Sequence, residues 1–116
     1  MRFLSLFRTA KRGGMDTREM GLRIASIFGR HFLKTEHLHY GYWPEGMDVC
    51  LENLPRAQEL YSELLLSHIP DGVRSVLDVG CGTGHNAELF VSKGYEVDCV
   101  SPSDGLSAKA REKLSA

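Results

Sequence analysis

The sequence predicts an α/β fold with a parallel sheet, and three observations carry that expectation. From Ser75 onward, two short β-prone runs alternate with two helical segments, in the order strand–helix–strand–helix. A cluster of glycines falls between the first strand and the first helix of that unit. The composition, 42% hydrophobic and 25% charged over 116 residues, is that of a globular protein, which argues against wholesale disorder or a fibrous fold.

The elements follow from local chemistry. Residues 1–15 read as a flexible basic leader closed by Gly13-Gly14. Asp16 can N-cap a helix, with Glu19 three positions on as in a capping box, and Met20, Ile24, Ile27, Phe28 and Phe32 recur at helical spacing until the helix fades near Lys34-Thr35. Residues 36–49 form an irregular segment rich in aromatics, of the kind that serves as a lid. A second helix covers Leu54–Ser67, with Pro55 in its first turn, and with Ala57, Leu60, Tyr61, Leu64, Leu65 and Ile69 as a broad apolar face. Residues 16–72 are therefore an N-terminal helical and lid segment.

Ser75-Val76-Leu77-Asp78-Val79 reads as a buried strand of a parallel sheet. A helix over His85–Lys93 ends at Gly94, placed as a C′ glycine. Tyr95–Val100 is the second strand. Ser101-Pro102-Ser103-Asp104 is a turn whose Ser103 or Asp104 caps a fourth helix, still running at Lys113-Leu114. Residues 73–116 are thus the start of a larger domain.

Net charge is −1 and names no partner by itself. It divides unevenly: residues 1–34 hold eight Lys/Arg against Asp16 and Glu19, and the remainder is acidic. The basic excess reads as a solvated helix face behind a ragged leader, so no nucleic acid is expected as a partner. No apolar run approaches the ~18–20 residues that span a bilayer. Cys50, Cys81 and Cys99 are too widely spaced for a zinc site or a disulfide framework, and a reducing, cytoplasmic location fits them.

The strongest signal is Val76-Leu77-Asp78-Val79-Gly80-Cys81-Gly82-Thr83-Gly84. These glycines sit after an apolar strand and before a helix, the context in which such a turn cradles a ligand. Gly80 allows the tight turn, Gly82 lets a ligand lie against the backbone, and Gly84 permits close helix–strand packing. Dinucleotide sites use G-x-G-x-x-G, whereas the spacing here is G-x-G-x-G with an acid two residues before the first glycine, which disfavours a nicotinamide enzyme.

This stretch resembles motif I of the class I, Rossmann-like S-adenosylmethionine-dependent methyltransferases. The resemblance implies a Rossmann-like three-layer sandwich, incomplete here, with the first two parallel strands and their flanking helices. It implies S-adenosyl-L-methionine as cofactor, with Asp78 toward its amino-acid end and the backbone of Gly80, Cys81 and Gly82 beneath it. The family places an acid at the end of the second strand for the ribose hydroxyls. This sequence has Ser101 there, a weaker acceptor, with Asp104 three residues on as a candidate substitute.

Upstream, Tyr40-Gly41-Tyr42-Trp43 looks like the lid segment of small-molecule methyltransferases, which makes Tyr40 and Trp43 cofactor-side candidates. The reading is therefore the N-terminal portion of a methyltransferase acting on a small-molecule acceptor, with the 116-residue chain alone inactive. The alternative is a non-catalytic cofactor-binding fragment or half-domain needing another chain. No catalytic residue is assigned. His37 and His39 form an H-x-H pair with no acid or cysteine cluster to complete a metal site, so no metal is expected; either could serve as a base in the loop. His85 lies near the cofactor by position, and Cys81 is there for its size.

Overall fold

The computed structural model describes residues 2–4 and 16–115. Its order is β1 (Arg2–Leu4), α1 (Thr17–Phe28) continued by a π-helical turn (Gly29–Leu33), α2 (Leu54–Ser67), β2 (Ser75–Val79), α3 (His85–Ser92), β3 (Glu96–Val100) and α4 (Asp104–Leu114). The three strands form one parallel sheet in the order β1-β3-β2. The register of β2 on β3 runs from Ser75 opposite Glu96 to Val79 opposite Val100. The parallel β2–α3–β3 unit is compatible with a Rossmann-like methyltransferase fold.

The leader expected over residues 1–15 contains β1, which local sequence rules do not assign; residues 5–15 lie outside the described ones. The core lies between the sheet and α3: Cys81, Ala87, Phe90, Val97 and Cys99 are buried together, with Leu66, Ile69, Val76, Tyr95 and Leu114 packed around them.

Strand β2 departs from expectation. It is parallel but not buried on both faces, since Leu77 and Val79 are 58% and 73% exposed. Alternation explains the split: Val76 and Asp78 face inward, and their neighbours face out.

Helix α1 also departs. Asp16 caps it, its Oδ1 accepting from the amides of Arg18 and Glu19 at 3.0 and 3.2 Å. Glu19 does not complete a capping box, because its carboxylate is drawn to the start of α4. There Ser103 Oγ donates to Oε2 at 2.8 Å and the Gly105 amide donates to Oε1 at 3.0 Å. Ser26 and Gly29 are the buried positions, and Lys109 Nζ donates to Ser26 Oγ at 2.7 Å. The helical stripe of Met20, Ile24, Ile27, Phe28 and Phe32 is exposed. The helix is thus held to α4 by its polar side. Lys34, in the left-handed conformation, ends the π-helical turn.

In α2 the buried residues are Ala57, Gln58 and Ser62 rather than the leucine-rich face. At α4, Ser103 is the cap, accepting from the Leu106 amide at 3.1 Å, and the helix ends at Leu114.

Candidate functional site

Strand β2 delivers Asp78 to the edge of the turn Gly80–Gly84, and that turn folds over the end of β3. The amides of Gly80 and Cys81 both donate to Val100 O, at 2.7 and 3.3 Å, and the Gly84 amide donates to Cys81 O at 2.8 Å. Gly84 has φ +82°, and a Cβ there would stand 2.9 Å from the Ala110 Cβ, so glycine is what brings the turn against α4. On the other side the turn is open: a Cβ at Gly80 would meet nothing within 4 Å.

The lid segment closes over this open side. Thr83 Oγ1 donates to Glu36 O at 3.2 Å, and Lys113 Nζ pairs with the Glu36 carboxylate at 2.7 Å. That lysine holds the Glu36 carboxyl below its ordinary pKa. Gln58 of α2 fixes the segment from below, accepting from Thr35 Oγ1 and donating through Nε2 to His39 O, each at 2.5 Å. Gly41, at φ +84°, lies so close to α2 that a Cβ would sit 2.7 Å from the Ala57 carbonyl carbon.

Between turn and lid is an open cavity of about 170 Å³. His37, Leu38 and His39 line it from the lid, Asp78 from β2, Gly80 to Thr83 from the turn, and His85 and Asn86 from α3. Of the residues singled out in the sequence, Asp78, Gly80, Cys81 and Gly82 come together here. Gly84 instead packs against α4. Ser101 accepts from the Ser103 amide at 3.3 Å within its own turn and does not line this cavity. Asp104 is exposed as the first residue of α4. Tyr40 is 91% exposed, and Trp43 donates through Nε1 to Tyr40 O at 2.9 Å; neither side chain lines the cavity.

The added lining residues had uneven signals. His37, His39 and His85 were visible as histidines near the motif, and Thr83 lies inside it. Asn86 and the supporting Gln58 carried none.

Burial sets the electrostatics. Asp78 Oδ2 is buried without a hydrogen-bond partner, and burial raises the pKa of its carboxyl. His37 is held down to about 4, first by burial and then by His85 and His39 beside it. Burial, then His85, lowers His39 as well. The His37 ring stands 4.0 Å from that of His85, whose Nδ1 is also buried without a partner. Burial pushes the Cys81 thiol up and the Cys99 thiol to about 12, so neither is a nucleophile at neutral pH. Among the described residues no three His, Cys, Asp or Glu are placed to hold a metal ion, and no helix is long and apolar enough to cross a membrane.

An acid beside an open glycine turn at the end of a parallel strand is a ligand-binding arrangement. Residues 77–116 match the family model of a methyltransferase domain. The matched stretch begins inside β2, takes in the glycine turn and extends through α4, and is consistent with a class I S-adenosylmethionine-dependent methyltransferase. No curated protein and no solved structure matches the chain.

Proposed function

We propose that the chain is the cofactor-binding portion of an S-adenosylmethionine-dependent methyltransferase acting on a small-molecule acceptor, within a Rossmann-like three-layer sandwich. The observation that carries the reading is Asp78 Oδ2, buried and unpartnered beside the open glycine turn. A buried carboxylate oxygen without a partner is costly unless a ligand supplies one. The cofactor's ammonium would do so, and the open backbone at Gly80 leaves it room. The cofactor, when bound, supplies an activated methyl group on a sulfonium.

The residues of this chain bind and orient. Asp78 holds the amino-acid end, the turn from Gly80 to Gly82 supports it, and His37 to His39 of the lid wall the cavity opposite. The unpaired thiols of Cys50, Cys81 and Cys99 support a reducing, cytoplasmic location.

A second reading, a half-domain completed by another chain, is supported by Leu77 and Val79, exposed on the outer face of β2. Isothermal titration of the full chain with S-adenosylmethionine and with NADH tests the first reading. Saturable binding of S-adenosylmethionine without binding of NADH is expected; the reverse preference refutes it. Binding of S-adenosylmethionine only after a second chain is added would favour the half-domain.

A further inference from the structure

Taking the proposed cofactor as its ligand, we infer that His37 donates a hydrogen bond through Nε2–H to the carboxylate of the cofactor's amino-acid end. His39 acts as the positioning residue that fixes which nitrogen of His37 carries the proton.

The proton positions follow from one backbone amide. The Gly41 N–H can only donate, and it reaches His39 Nδ1 at 3.2 Å. That nitrogen therefore carries a lone pair, and a neutral His39 carries its proton on Nε2. His39 Nε2 lies 3.0 Å from His37 Nδ1, so His39 donates and His37 Nδ1 accepts. The remaining proton of a neutral His37 is then on Nε2. Burial keeps both rings neutral at physiological pH. Gln58 anchors the chain by holding His39 O, and the His37 ring rests against His85.

The cavity presents complementary groups. Asp78 offers an unpartnered acceptor, and His37 offers a fixed donor in the same cavity. An α-amino acid end carries an ammonium and a carboxylate, and needs one of each. No Arg or Lys lines the cavity, so a carboxylate there meets neutral donors, and among these His37 is the one whose proton is fixed in place by a chain of hydrogen bonds. A space of about 170 Å³ is below the ~300 Å³ at which whole-ligand pockets begin, which suits one end of the cofactor rather than its whole length.

Two measurements on the full chain test this. Long-range proton–nitrogen NMR of the ¹⁵N-labelled histidines at pH 7.5, without ligand, is expected to show Nε2–H on both His37 and His39. An Nδ1–H tautomer on either overturns the chain of donors. Titration with S-adenosylmethionine and with its decarboxylated analogue then tests the recipient. His37→Phe keeps a ring but removes the donor, and is expected to weaken S-adenosylmethionine about tenfold while leaving the analogue unchanged. His37→Gln, which places an amide N–H near the same point, should recover part of that loss. Equal loss for both ligands, or a wild-type chain that binds both equally, overturns the role of His37 and leaves the cofactor reading standing. A wild-type chain that binds neither refutes the cofactor reading and this inference with it. His39→Phe provides a second test should His37→Phe not fold: it is expected to weaken S-adenosylmethionine alone, and equal weakening of both ligands contradicts the positioning role.

Discussion

Glu19 and Ser103, separated by 84 residues, are joined by a 2.8 Å hydrogen bond, and the same carboxylate receives the Gly105 amide at 3.0 Å. A negative charge is thereby set at the N-terminus of α4, where free amides and the helix dipole favour it. It also ties α1 to the turn after β3, together with Arg18, which donates to Pro102 O at 3.4 Å, and Lys109, which donates to Ser26 from α4.

Glu19→Ala should cost roughly 1.5–3 kcal/mol, the range for hydrogen bonds to a charged group, read from urea denaturation. Gly105→Ala sharpens the test. Helix propensity alone favours alanine by ~1 kcal/mol. Its Cβ would push aside Glu19 Oε1, the movable end of a flexible side chain, at the cost of the carboxylate's bonds to Ser103 and Gly105, so a net loss of stability is expected. A gain would show that the Glu19 contact is dispensable.

Gln58 is 2% exposed and holds both Thr35 and His39. Gln58→Met keeps the volume and leaves the Thr35 hydroxyl and the His39 carbonyl without that partner. A loss of roughly 2–3 kcal/mol is expected, with faster hydrogen exchange over residues 35–41. A change below about 0.5 kcal/mol, with unchanged exchange, would show that the lid does not depend on it.

The parts legible in the sequence were those set by local chemistry. The bounds of α2 and β2 and the starts of α3 and α4 lie where apolar period, Pro55 and the glycines put them. Asp78, Gly80, Cys81 and Gly82 were found because a turn motif is contiguous. What escaped is non-local. Nothing near Glu19 shows that its partner is Ser103, so a capping box was the natural local reading. The apolar stripe of α1 has helical spacing, yet spacing does not say which face a neighbour takes, and here the polar side of the helix docks. Gln58 looks like a solvated residue between Ala57 and Glu59 until the lid is folded onto it. Strand β2 has the apolar run of a doubly covered strand, but the outer face of Leu77 and Val79 is open.

The histidines give a pH signature. His37 in the folded chain takes up its proton near pH 4, whereas an unfolded histidine does so near 6.5. Between those values the unfolded state binds more protons. Stability should therefore be flat above pH 6.5 as far as this group is concerned, and fall as pH drops from 6.5 toward 4. His39, also lowered, adds in the same direction. Urea midpoints at pH 7.5, 6.0 and 5.0 should decline for the wild type and decline less for His37→Phe. Parallel curves for the two would show that His37 is not buried as described.

Asp78 has a raised pKa, the mark of a carboxyl that the fold buries at some cost to its charged form. Such a group favours the native state most below its ordinary pKa and opposes it once ionised, so Asp78→Asn should raise the thermal midpoint at pH 7.5. The same substitution would remove the carboxylate proposed to hold the cofactor's ammonium. The direct measurement is calorimetric titration of S-adenosylmethionine into wild-type and Asp78→Asn chains at pH 7.5, with thermal midpoints recorded beside it. If Asp78 holds the cofactor, the wild type binds saturably, the variant binds at least tenfold more weakly, and the variant is no less stable than the wild type. Equal affinity in the two chains would contradict that role.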